Sequence, residues 1–195
     1  MSAEISTQPH NLPLVVSKET CSGATYIVTG ANTGLGFEAA KHLVALGSAK
    51  VIMAVRNIGS GEQARDEIEK ATGVSNIAEV WELDLASYDS VKAFAKKASE
   101  LDRIDALLEN AGVAMAERVW AEGHLMAVTV NIISTFLLAV LLLPKLSDSA
   151  RKFGIQPHLS IVGSGAGFDM EEDWKMIKDS PLVKMEDESL MTLKT

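Results

Sequence analysis

The stretch TYIVTGANTGLG, residues 25–36, decides how this chain reads. An apolar run, Tyr26-Ile27-Val28, ends at Thr29; three glycines follow at Gly30, Gly34 and Gly36, and a helix-like segment at 37–46 comes directly after. A strand, a glycine turn and a helix N-terminus together make a phosphate site. Glycine lets backbone approach the ligand, and free N–H groups with the helix dipole favour an anion. The spacing is G-x-x-x-G-x-G rather than the more frequent G-x-G-x-x-G dinucleotide fingerprint. Three glycines near a turn also occur as structural punctuation alone, and the rest of the chain decides between the two.

Outward from that stretch, short β-rich runs alternate with helical ones. Strands are expected at 25–29, 50–55 (KVIMAV), 78–83 (AEVWEL), 104–108 and 158–163; helices at 37–46, 61–71 and 88–100, the last capped by Ser87. Gly47 and Gly73 close two of the helices. This rhythm implies right-handed βαβ crossovers, hence an α/β fold: one domain with a Rossmann-type, doubly wound parallel sheet. Ligands of such sheets bind outside the carboxyl ends of the strands. The residues expected there are Gly30, Arg56, Asp84, Asn110 and Ser164, all polar or glycine.

Residues 1–22 read as an N-terminal arm, 23–167 as the nucleotide-binding domain and 168–195 as an acidic, irregular tail. From Asp169 on, eight acidic residues face four lysines, so the tail supplies half of the formal charge of −8. That charge argues against nucleic acid as a partner. Cys21 is the only cysteine, which excludes an intrachain disulfide, and the four histidines show no metal-ligand spacing. The apolar run 125–143 is nearly long enough to span a bilayer, but Asn131, Ser134 and Thr135 interrupt it and no basic cluster flanks it. It reads as a long buried helix instead, with Pro144 near its end, and the helical region 117–146 as a surface for pairing identical chains. The N-terminus shows no basic region followed by an apolar core, and a cytoplasmic location is expected.

Five ordered motifs resemble those of the short-chain dehydrogenase/reductase family. Residues 29–36, TGANTGLG, are similar to its T-G-x-x-x-G-x-G cofactor motif, and Asp84-Leu85 to its adenine-contacting acidic position. Glu109-Asn110-Ala111-Gly112 resembles N-N-A-G, with Glu for the first Asn. Val130-Asn131 resembles the start of its long helix, and Ile161-Val162-Gly163-Ser164 the strand that ends in a catalytic Ser. The detailed wording looks most like retinol-dehydrogenase-like and fungal secondary-metabolite members. The resemblance implies an oxidoreductase that moves hydride between a nicotinamide and a small-molecule carbonyl or alcohol. It implies catalytic roles for Ser164 and Asn131, and cofactor contacts from Gly30, Asn32, Gly34, Leu35, Gly36, Arg56, Asp84, Leu85, Asn110, Ala111 and Gly112. An acid at the end of the second strand would bond the ribose 2′-hydroxyl of NAD, whereas Arg56 there suits the 2′-phosphate of NADP. A solvated arginine at a strand end is the bland alternative.

The family's chemistry also needs a Tyr with a Lys four residues on. Tyr26 and Tyr88 are the only tyrosines; Lys92 does stand four residues after Tyr88, but that pair opens the third helix, well before Ser164, and no tyrosine follows Ser164. The sequence reads as the front of such an enzyme, ending before its Y-x-x-x-K. The competing reading is a catalytically incomplete NADP-binding or interaction module.

Overall fold

The computed structural model describes residues 13, 15–115 and 117–187. Ser17 caps a short helix, α1 (Lys18–Cys21). Then follow β1 (Thr25–Thr29), α2 (Gly34–Ala45), β2 (Lys50–Val55), α3 (Ile58–Thr72), β3 (Ala78–Glu82), α4 (Tyr88–Ser99) and β4 (Ala106–Glu109). A small antiparallel hairpin, β5 (Trp120–Ala121) with β6 (His124–Leu125), precedes the long helix α5 (Met126–Phe153), and β7 (His158–Ile161) completes the sheet. The five long strands are parallel in the order β3-β2-β1-β4-β7, so the chain reverses its direction of travel at β1 and β4. This is the doubly wound α/β fold that the strand–helix rhythm predicts.

Alternation along each strand builds two cores. Val28, Val51 and Met53 pack under α2 and α3 with Ala40, Val44 and Ile68; Ile27, Ile52 and Leu107 pack under α4 and α5 with Phe94, Leu138 and Leu142. Both faces of the central strands are covered, which is why those runs lack any polar alternation. At the amino end of the sheet Asp105 joins separate elements. Its Oδ2 accepts the Thr25 N–H at 2.8 Å and Arg103 Nε–H at 2.7 Å, and the guanidinium lies over the Phe153 ring at the end of α5. Thr25 is buried, so Asp105→Ala strands its N–H. A loss of about 2 kcal/mol is expected in denaturant unfolding, from one unsatisfied donor and one lost charge-assisted bond.

Several boundaries differ from the sequence expectation. The helix expected at 37–46 starts at Gly34, with Thr33 as its N-cap, so two motif glycines belong to its first turn. The long helix does not end near Pro144 but runs to Phe153, where Gly154 (φ 64°) stops it. Pro144 leaves the Val140 carbonyl without its amide donor, on a stretch of the helix where Val140 is exposed. Near its start, residues Thr129–Ser134 form a π-helical turn; Thr129 and Thr135 each donate a hydroxyl, to the Ala121 and Val130 carbonyls respectively. The fifth strand ends at Ile161 rather than at 163.

The sheet and its helices form one unit, Val15–Val162, and the residues from Gly163 on belong to another. The domain edge is therefore placed five residues before the expected 167. Nor is the described part of the tail irregular: a 3₁₀ turn (Gly165–Met170) leads into helices α6 (Glu171–Ile177) and α7 (Pro181–Met185). Acidic residues in the first turn of α6 suit its positive end, Lys175 pairs with Glu171 and Glu172, and Pro181 opens α7. Of the expected arm at 1–22, residues 15–22 belong to the sheet unit, while 1–12 and 14, like 188–195 of the tail, lie outside the described residues.

Candidate functional site

The carboxyl ends of β1, β2, β3 and β4 open into one cleft of about 440 Å³. Gly30, Asn32 and Thr33 line it from the first turn, Arg56, Asn57 and Ser60 from the second, Leu83 to Ala86 from the third, and Asn110 to Val113 from the fourth; Met126 and Val130 of α5 close it. Eight of the eleven expected cofactor residues are thus brought together. Gly34, Leu35 and Gly36 stand at the start of α2 instead.

The glycines have separate reasons. Gly30 has φ +65° and its N–H donates to the Ala54 carbonyl at 2.8 Å, and Gly34 has φ +57°, both in the left-handed region that glycine adopts without strain. Gly36 has no such angle. A Cβ there would collide with the Gly30 carbonyl oxygen and come within 2.5 Å of Asn110 Nδ2. Its hydrogen is required by protein packing, before any ligand arrives.

Asn110 acts as a clamp. Its Nδ2 donates to the Thr29 carbonyl at 3.0 Å and, more weakly, to Gly30 O at 3.5 Å, while the Thr29 hydroxyl accepts N–H bonds from Asn110 at 3.0 Å and Ala111 at 2.9 Å. The turn after β1 and the turn after β4 are fastened to each other across the switch point. Thr29 was not among the expected site residues, although the T-G pair at the strand end is the signal that marks it. Asn57 and Ser60 were also missed. Asn57 caps α3 by accepting Ser60 N–H at 3.0 Å, and Ser60 Oγ accepts from Asn32 Nδ2 at 3.3 Å, tying the glycine turn to that helix start.

Arg56 is exposed at the end of β2 and makes no hydrogen bond or ion pair among the described residues. Asp84 turns inward on its own loop, accepting Ala86 N–H at 2.9 Å, and its backbone N–H donates to Ser90 Oγ. Leu85 is buried in the core, which leaves its backbone for the cleft. Asn131 sits in the π-helical turn with its amide held against the Val113 backbone: Oδ1 accepts Val113 N–H and Nδ2 donates to the Val113 carbonyl, each at 2.8 Å. Gly112 makes room for this pair, a Cβ there standing 3.3 Å from Asn131 Oδ1. Ser164 belongs to the separate unit that begins at Gly163. Neither tyrosine lines the cleft: Tyr26 lies in β1, its hydroxyl pushed far up by burial and then by Cys21, and Tyr88 opens α4 with its N–H on Glu122.

Strand order, the glycine turn at the switch point and the cleft beyond the strand ends define a doubly wound α/β domain with a nucleotide-type site. The profile of the family described as short chain dehydrogenase matches residues 24–171, and the chain belongs to that family. It is 46% identical over 145 residues (73% of the chain) to the short chain dehydrogenase/reductase dmxR8 of a Cryptosporiopsis species, and 46% identical over 155 residues (78%) to the short-chain dehydrogenase anuD of Penicillium roqueforti. The matches span 45% and 40% of those two proteins, less than half of each. A short-chain dehydrogenase of Sphingobium yanoikuyae, solved in complex with NADPH, shares the fold at a TM-score of 0.65 and 24% identity, over 76% of this chain and 57% of its own.

Proposed function

We propose that the cleft binds NADP(H), and that the protein is an oxidoreductase acting on a small-molecule carbonyl or alcohol in secondary-metabolite biosynthesis. One observation carries the cofactor assignment: Arg56, unpaired at the rim where β2 ends, with Asn57 and Ser60 beside it and no carboxylate from that turn in the wall. A guanidinium there suits a phosphate, which a carboxylate would repel. The residues present fit a dinucleotide: Gly34, at the start of α2, has nothing within 4 Å of where a Cβ would stand, and Asn32, Arg56 and Ser60 line the cleft with polar groups. When bound, the cofactor supplies the hydride chemistry.

In this reading Gly30, Gly34, Leu35 and Gly36 offer backbone to the pyrophosphate, with Asn110, Ala111 and Gly112 opposite. Asp84 and the Leu85 backbone border the adenine, and Arg56 and Asn32 hold the 2′-phosphate. Asn131 orders a water, and Ser164 holds the substrate oxygen. A cytoplasmic enzyme is the setting we infer. It is supported by the packing of α5, the one helix among the described residues long and apolar enough to cross a membrane, against α4 and β4.

The alternative reading is a binding module that uses the same cleft without turnover. Titration with NADPH and with NADH, followed by fluorescence, tests both. Selective NADPH binding with turnover of a carbonyl panel supports the first reading, and selective binding without turnover the second. Failure to bind either nucleotide sinks the cofactor assignment.

A further inference from the structure

Glu109, the last residue of β4, is 3% exposed, and neither of its carboxylate oxygens has a hydrogen-bond partner among the described residues. Strand alternation puts its side chain on the sheet face of Leu107, toward α4 and α5. The Ser134 hydroxyl, equally buried and unpartnered, lies one helical turn from Val130 and from Leu138 in that same layer. Around them the layer is apolar, with Val91 and Phe94 from α4. Among the described residues of the elements packed around it, no charged group faces it. On α4 Asp89, Lys92, Lys96 and Lys97 are exposed; α5 has no charged residue before Lys145, which reaches back to the Asp102 carbonyl; β1 contributes only Thr29; and His158 of β7 is exposed at the other end of its strand. A carboxylate in that place has nothing to solvate it, and burial pushes the Glu109 pKa up to about 8.

The backbone on either side of this side chain is committed. Glu109 O accepts Val162 N–H at 2.9 Å, and the next residue is the Asn110 clamp on Thr29 and Gly30. An ionised Glu109 is relieved only by water entering the layer or by the strand end moving, and either disturbs the clamp.

We propose that Glu109 in its neutral form is a positioning residue for the cofactor cleft, holding Asn110 and the glycine turn in place, and that its ionisation releases them and weakens cofactor binding. This rests on the cofactor reading of the cleft. The folded-state pKa is raised, so the folded protein holds the proton through neutral pH and the effect is felt as pH rises through about 8.

The test compares the native chain with Glu109→Gln, an isostere of the neutral acid, in NADPH titrations from pH 6.5 to 9. Native affinity is expected to fall about tenfold between pH 7 and 9, the limit for one linked group of this pKa, while Glu109→Gln stays flat. The cofactor's own phosphate, which ionises near pH ~6, cancels in the comparison. Parallel profiles overturn the proposal. Amide exchange of Asn110 and Ala111 without nucleotide, compared at equal pH, reads the clamp itself. Faster exchange in the native chain than in Glu109→Gln above pH 8 supports the proposal even where neither protein binds NADPH, a result that removes the cofactor reading alone. Equal exchange in the two proteins overturns it.

Discussion

Gly36→Val is expected to weaken nucleotide binding on the order of 100-fold and to lower the stability of the whole domain. The new Cβ falls on the Gly30 carbonyl oxygen and within 2.5 Å of Asn110 Nδ2. Neither neighbour yields cheaply. Gly30 is held by its N–H bond to Ala54 O, and Asn110 Nδ2 by the Thr29 carbonyl at 3.0 Å. Relief requires the helix start to lift from the glycine turn, which opens the contact between β1 and β4. Overpacking against backbone costs about 3 kcal/mol at the upper end of its range, and a loss of that size in the bound geometry is on the order of 100-fold in affinity. Thermal unfolding and nucleotide titration should both register it. Gly59→Ala is the control: that glycine has ordinary φ and its nearest neighbour would stand at 3.4 Å, so the added methyl raises helix propensity without a clash. Unchanged NADPH affinity in Gly36→Val overturns the role given to this turn.

Arg56→Glu is expected to lower NADPH affinity on the order of 100-fold while changing NADH affinity by less than about threefold. The substitution removes charge-assisted hydrogen bonds to the 2′-phosphate, worth about 1.5–3 kcal/mol, and puts a like charge against it. NADH has a hydroxyl at that position, which a carboxylate accepts well. Arg56 makes no bond within the described protein, so folding stability should hold and the change reads as recognition. Arg56→Lys should fall between, keeping the charge but not the paired geometry. The measurement is a pair of fluorescence titrations at fixed ionic strength; equal losses for the two nucleotides sink the 2′-phosphate assignment.

Much of this molecule was legible before its structure. Thr25–Thr29 and Lys50–Val55 are strands at the expected residues, Ser87 caps α4, and Gly47 and Gly73 both take the left-handed conformation that ends a helix. Caps and strand runs are local properties: the deciding groups lie within a few residues of one another. Arg56, Asp84 and Asn110 meet at one cleft because strand–helix alternation with right-handed crossovers brings every carboxyl end to the same edge of the sheet.

What side chains do at that edge was less legible. Asn110 and Asn131 read as site residues, yet both amides are spent on protein backbone, Asn110 on Thr29 and Asn131 on Val113. Glu122, on the hairpin before the long helix, accepts the first N–H of α4 at 2.8 Å, across 34 residues. The proline rule placed an end at Pro144 where packing continues the helix, since burial of Leu142 and Leu146 outweighs one lost bond on the solvent side.

By itself, then, the sequence determined the α/β class, the strand and helix periods, the glycine turn and the polar residues waiting at strand ends, because all of these follow from backbone sterics and burial within short windows. Only the tertiary structure decided which partner each polar group takes, why Gly36 admits no side chain, and that Glu109 is buried without a partner. Those outcomes depend on atoms brought together from as far as 82 residues apart, and spacing along the chain carries no record of them.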